Sequence, residues 1–178
     1  MFCASLADVF DNSVDLAWRA DLWALVRDTP HLDWLVLTKR IGNVSAMLPA
    51  DWGCGYGNVW LGISVVSQDE ADRDIPKLLC LPAAVRWLSL EPLLGSVSLQ
   101  SATGPFGETL DWAVVGGESG PHARPMKAEW VHDLRAQCGT LAIAFFFKQW
   151  GGHEKGKGGC LLGAREVKAW PSLPCPVY

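Results

Sequence analysis

The feature that most constrains this chain is a rhythm. Six short apolar runs, each stopping at a polar residue, recur about every 25 to 32 residues along the sequence. They occupy residues 2–6, 34–37, 59–64, 84–90, 112–115 and 141–147. Within each run hydrophobicity is continuous rather than alternating, as in strands covered on both faces, and such strands belong to parallel sheets flanked by helices.

The segments between most of the runs read as helices. Residues 16–26 place Leu16, Ala20, Trp23 and Ala24 at three-and-four spacing, with Asp15 before them as a cap and Pro30 just past the end. A short helix covers 44–48, after which three glycines make 51–58 a loop. Residues 68–80 are helical, with Pro76 expected at a start or a kink. Residues 126–138 align Trp130, Leu134 and Cys138 and stop at Gly139. Residues 93–110 have no helical period and read as a long crossover.

Right-handed crossovers wind such a chain into a barrel or a doubly wound sheet. A complete eight-fold barrel takes about 250 residues, and this chain has 178. The expected fold is therefore α/β: a parallel (β/α)6-type incomplete TIM-like barrel over residues 1–152. An irregular tail, 153–178, packs on the barrel or trails from it.

In parallel α/β folds the ligand site lies at the carboxyl ends of the strands. Those ends carry Ser5 and Asp8, then Thr38, Lys39 and Arg40, then Ser64, Glu91, Glu118 with Ser119, and finally Lys148 with Gln149. A single such exit is ordinarily a solvated turn; six in series point to a shared site. Glu91, Glu118 and Lys148 are the candidate catalytic groups. Thr38, Lys39, Arg40, Ser64, Ser119 and Gln149 are candidate ligand contacts. Gly116 and Gly117, with Gly120, offer close backbone approach and N–H groups for a carboxylate or phosphate.

Composition excludes several classes. Net charge is −4 with a pI of about 5.5, so nucleic acid as a partner finds no support in overall charge. The six cysteines stand in no metal or cluster spacing, nor do the four histidines, so no metal ligands are assigned. No apolar run reaches membrane-spanning length, and no signal peptide opens the chain, which makes the cytoplasm the expected compartment.

Several motifs together carry a resemblance. Residues 5–10, Leu37-Thr38-Lys39-Arg40, residues 59–64, Ile75-Pro76, residues 90–95, residues 111–120, Ala123-Arg124-Pro125-Met126 and residues 146–152 resemble, in order and as far as about Gly163, a bacterial and phage family of uncharacterised proteins. That family is similar to radical S-adenosylmethionine barrels. The resemblance implies a six-stranded partial barrel with an S-adenosylmethionine pocket. It also implies an amino-terminal segment of three close cysteines holding a [4Fe–4S] cluster, a cluster expected in a full-length relative and not on this chain. Ala4 stands where the family pattern has Asn. The Gly-Gly-Glu motif that binds the methionine end of the cofactor in radical enzymes is not transferred to Gly116-Gly117-Glu118, which lies on a late strand.

Three functional readings follow. One is a radical-S-adenosylmethionine-like enzyme acting on a nucleotide, nucleic acid or peptide, of which this chain is the barrel, inactive by itself. The second is a non-catalytic module binding an anionic nucleotide. The third is an inactive prophage remnant. Because residues 2–6 open inside a strand, a further strand is expected before them, and the bare edge is expected to favour self-association.

Overall fold

The computed structural model describes residues 1–3, 7–100, 102–104, 107–153 and 158–172. Six parallel strands form one sheet in sequence order: β1 (Phe2–Cys3), β2 (Trp34–Thr38), β3 (Val59–Ser64), β4 (Val85–Leu90), β5 (Trp112–Gly116) and β6 (Ala144–Gln149). Every neighbouring pair is parallel, so all carboxyl ends share one rim. The sheet, its strands in sequence order, curls into a half-barrel, the first of the two windings that the apolar rhythm allows. Residues 4–6 of the expected first strand, Ser5 among them, lie outside the described residues.

Helices α1 (Leu16–Asp28), α2 (Ile41–Met47), α3 (Gln68–Leu79) and α4 (Ala128–Thr140) follow β1, β2, β3 and β5. They cover the convex face, where Val36, Leu61, Ile63, Leu88, Val115 and Phe147 join one large buried cluster. Asp15 caps α1 by accepting from the Ala17 N–H at 2.8 Å.

The buried stripe of α1 is not the one its spacing suggests. Arg19, Trp23 and Val26 face inward, while Leu16 is 77% exposed. Arg19 wins the inner position because its guanidinium donates to the Val9 and Asp11 carbonyls at 3.0 and 3.1 Å, tying the loop after β1 to the helix. Pro76 sits inside α3 near its end rather than at its start. Helix α4 begins two residues later than its pattern and runs through Gly139, and β6 starts at Ala144 and extends to Gln149.

The crossover from β4 to β5 has no helix among its described residues, as its lack of period implied. Its backbone is held from both sides by glutamine side chains acting as peptide mimics. Gln68 of α3 accepts from the Ser98 N–H at 2.6 Å and donates to the Ser98 carbonyl at 3.3 Å. Gln137 of α4 accepts from the Leu99 N–H at 2.7 Å and donates to the Val97 carbonyl at 3.0 Å. Leu93, Val97 and Leu99 are thereby buried where a helix would otherwise pack.

Among its described residues, the segment after the sixth strand has more regular pairing than its composition suggests. A small antiparallel pair, β7 (Leu161–Leu162) and β8 (Arg165–Glu166), leads into residues 167–169. These run antiparallel along the outer edge of β6: Phe147 N–H donates to the Val167 carbonyl at 2.7 Å, and Ala169 N–H to the Phe145 carbonyl at 3.0 Å. The free edge of β6 is thus closed. Among the described residues no helix is long and apolar enough to cross a membrane.

Candidate functional site

Side chains alternate along a strand, so every second residue faces the concave lumen. On β3 the inward series is Trp60, Gly62, Ser64; on β4 and just beyond it is Trp87, Ser89, Glu91; on β5 it is Trp112, Val114, Gly116. Each series starts with an aromatic ring and ends at a polar group or bare backbone. The lumen consequently has a tryptophan floor and a polar rim. It encloses a cavity of about 780 Å³, within the size range of small-molecule sites.

The floor is a network of rings. Trp60 meets Trp112 edge-on at 5.8 Å, Trp87 lies 5.5 Å from Trp112, and Phe146 meets Trp112 at 5.8 Å. Trp87 donates its indole N–H to the Trp60 carbonyl at 3.0 Å. Gly62 makes room for it: a Cβ there would stand 2.2 Å from the Trp87 ring.

At the rim, Lys148 Nζ donates to Glu91 Oε2 at 2.8 Å, and Gln149 Nε2 donates to Glu91 Oε1 at 3.3 Å. Consecutive strand residues ordinarily point to opposite faces. Here the ladder slips by one residue: Val115 faces Phe147, whereas Gly116 faces Gln149, leaving Lys148 as the extra residue. The slip lets both side chains reach one carboxylate. Gln149, buried, also donates to Ser119 Oγ at 2.9 Å. Gly116 leaves space for this carboxylate, since a Cβ would sit 3.2 Å from Glu91 Cδ. Lys39 completes the rim, and its ammonium has no partner among the described residues.

Of the residues expected at the site, Lys39, Ser64, Glu91 and Lys148 line the cavity. Gln149 and Ser119 stand behind Glu91. Thr38, Arg40 and Glu118 do not line it. Thr38 lies on the opposite face of β2 from Lys39, where its hydroxyl donates to Asp8 at 2.8 Å. Arg40 pairs with Asp8 at 3.3 Å and also with Asp11. Asp8 itself accepts from the Phe10 and Lys39 N–H groups, so these residues knit the loops after β1 and β2.

Glu118 is gripped by Arg124, whose guanidinium donates to both carboxylate oxygens at 2.8 and 3.0 Å and whose backbone N–H donates at 2.8 Å. That grip takes its pKa from the ordinary 4.5 down to about 2. The N–H groups of Gly117 and Gly120 are not free for an anion either. They donate to the Gln149 and Gly152 carbonyls at 3.0 and 3.1 Å. Gly117 is a glycine because a Cβ would stand 1.9 Å from the Trp150 carbonyl oxygen. The turn after β5 serves the turn after β6.

Sequence reasoning missed Ser89 and the floor tryptophans. The signal was present: two and four residues before Glu91 are Ser89 and Trp87, and four before Ser64 and Gly116 are Trp60 and Trp112.

Five cysteines are described; Cys54 and Cys80 are exposed and Cys138 is buried. Among the described residues no three His, Cys, Asp or Glu side chains are grouped to hold a metal ion. No curated protein and no solved structure matches the chain. Over residues 1–170 it matches the model of the family described as protein of unknown function (DUF5131), and it belongs to that family.

Proposed function

We propose that the half-barrel lumen binds S-adenosylmethionine, and that the chain is the barrel of a radical-S-adenosylmethionine-like enzyme acting on a nucleotide, nucleic acid or peptide. The observation carrying this reading is the charge pattern at the rim. A carboxylate, Glu91, and two ammonium groups, Lys39 and Lys148, border an aromatic-floored cavity. Such a rim complements a zwitterion: Glu91 suits an α-ammonium and Lys39 an α-carboxylate, while the tryptophans suit a flat base. The donor set therefore fits the adenosyl cofactor.

It does not fit an iron–sulfur cluster. A cluster draws several thiolates from one short loop, and among the described residues no three cysteines are grouped. The chain alone is expected to bind without reacting.

A second reading, a nucleotide-binding module, is favoured by one observation: with two cations and one carboxylate, the rim carries surplus positive charge. Calorimetric titration with S-adenosylmethionine and with adenosine 5′-monophosphate separates the two. On the first reading Glu91→Gln weakens S-adenosylmethionine binding about tenfold to a hundredfold, the worth of a hydrogen bond to a charged group, and leaves the nucleotide unaffected or tighter. On the second, the nucleotide binds better throughout and Lys39→Met weakens it most. Absence of binding by both ligands refutes both readings.

A further inference from the structure

Among the described residues Trp170 is the one floor ring supplied from outside the parallel strands. The segment that closes the edge of β6 delivers it: Trp112 Nε1 donates to the Ala169 carbonyl at 2.9 Å, fixing the residue immediately before it. Trp170 then stacks on Trp112 with ring centroids 4.8 Å apart and planes 26° from parallel. Phe146 and Trp60 meet it edge-on at 5.5 and 6.3 Å.

A ring anchored on three others would ordinarily be buried. Trp170 is nonetheless 57% exposed; it borders the lumen cavity and also a second cleft lined by Asp111, Ala144 and Pro171. Trp60, Trp87 and Trp112, by contrast, are each no more than 5% exposed. The floor thus has one indole with a fixed plane and substantial open surface.

We infer that Trp170 is the stacking platform of the site, receiving the planar heterocycle of a nucleoside whose charged end reaches the Lys39–Glu91–Lys148 rim. This rests on the adenosyl or nucleotide reading above and adds which end of the ligand goes where. The dimensions agree. Trp170 stacks on Trp112, which pairs with Trp87, and Trp87 stands four residues before Glu91, about 13 Å at the usual rise per residue, a span suited to a base, a sugar and one charged substituent. A preset aromatic plane accepts a base with little loss of side-chain freedom, and stacking is tolerant of base identity because every base has a π-face. The platform therefore selects for a flat ring rather than for adenine, leaving discrimination to the rim.

The test compares the full chain with Trp170→Leu, which keeps apolar bulk on Trp112 without an aromatic face, and with Trp170→Phe, which keeps a smaller face. Three probes are titrated calorimetrically: S-adenosylhomocysteine, adenosine 5′-monophosphate, and ribose 5-phosphate, which has the charged end and no base. Melting temperatures are recorded alongside, to show that each variant is folded. For whichever base-bearing probe the wild-type chain binds, Trp170→Leu is expected to lower affinity roughly five- to hundredfold, the range for losing one base stack. Trp170→Phe recovers most of that loss, and ribose 5-phosphate is indifferent to both changes. Equal affinity of wild type and a folded Trp170→Leu for a base-bearing probe overturns the platform and leaves the binding reading standing. So does an equal loss for ribose 5-phosphate, which would make Trp170 a general support of the site. A wild-type chain that binds neither base-bearing probe overturns the binding reading and the platform with it.

Discussion

Replacing Gly62 by alanine puts a single methyl group against the centre of the floor. Built on the existing backbone, that Cβ would lie 2.2 Å from Trp87 Cε2, 2.4 Å from Nε1 and 2.5 Å from Cδ2. Comfortable carbon contacts begin near 3.5 Å, so the indole must retreat by roughly 1.3 Å. Trp87 is 1% exposed and bound through its N–H to the Trp60 carbonyl, on the same strand as Gly62. A retreat of that size breaks the bond.

Overpacking of this kind costs about 1–3 kcal/mol, and losing a buried hydrogen bond adds about 1 kcal/mol. Reduced freedom of the unfolded chain returns about 0.4–1 kcal/mol. The expected net destabilisation is about 1–3.5 kcal/mol, or a fall in Tm of about 2–14 °C for a domain of this size. Urea denaturation of Gly62→Ala measures it, and a second background identifies the cause. In Trp87→Leu the methyl meets a smaller, flexible neighbour, so most of the penalty should vanish. A Gly62→Ala cost below about 0.5 kcal/mol, or one unchanged in the Trp87→Leu background, refutes the claim that this glycine exists to seat the indole.

Three further outcomes are expected. Asp8→Asn removes the charge that gathers the Phe10 and Lys39 N–H groups, the Thr38 hydroxyl and Arg40, and should cost about 2–3 kcal/mol in chemical denaturation. Glu118 is held down to about 2 by Arg124, so its stabilising contribution is full above its ordinary pKa of 4.5 and is lost as pH falls through that window toward 2; Glu118→Gln should flatten the acid limb of Tm against pH over that interval while leaving ligand binding near neutral pH unchanged. Cys138, buried against the sheet with its thiol pushed up to about 12, should resist a thiol reagent until the protein unfolds, whereas exposed Cys54 and Cys80 react in the native state.

The sheet was legible because its signal is long-range and repeated. Continuous apolar runs mark strands buried on both faces, and here the convex face meets helices while the concave face meets tryptophans. Helix ends were less legible, since propensity fades over one or two residues and tertiary contacts decide. Arg19 shows the limit of periodicity: a polar residue occupies the buried stripe because two carbonyls ten and eight residues away await its guanidinium. The closing segment was invisible for a related reason. Its strand-like backbone is imposed by pairing with β6, and a run rich in Gly, Lys and Pro carries no periodic mark of that.

The site was half legible. Strand ends identify a rim but not a facing, and adjacent residues at one end diverge. Lys39 turns inward while Thr38 and Arg40 turn to Asp8. Glu118 could not be told from Glu91 by position, because what separates them is a partner six residues downstream, Arg124.

That contrast between two carboxylates bears on what the rim can do. Glu118 has both oxygens engaged by one guanidinium and one backbone N–H, a geometry that fixes a loop, and it does not line the lumen. Glu91 is held differently. Gln149 steadies one oxygen from behind, itself fastened to Ser119, while the other oxygen meets Lys148 on the lumen side. A neutral amide orients a carboxylate without neutralising it, and Lys148 is half exposed and can swing. On the proposed reading, an incoming cation takes the place of Lys148 on Glu91 without dismantling the support beneath it, and the released ammonium joins Lys39 in facing an anion. The slip in the β5–β6 ladder is what makes this arrangement available, because it brings Lys148 and Gln149 to the same carboxylate from neighbouring positions. A rim built so can receive either charge of a zwitterion, which a rim of two lysines alone could not.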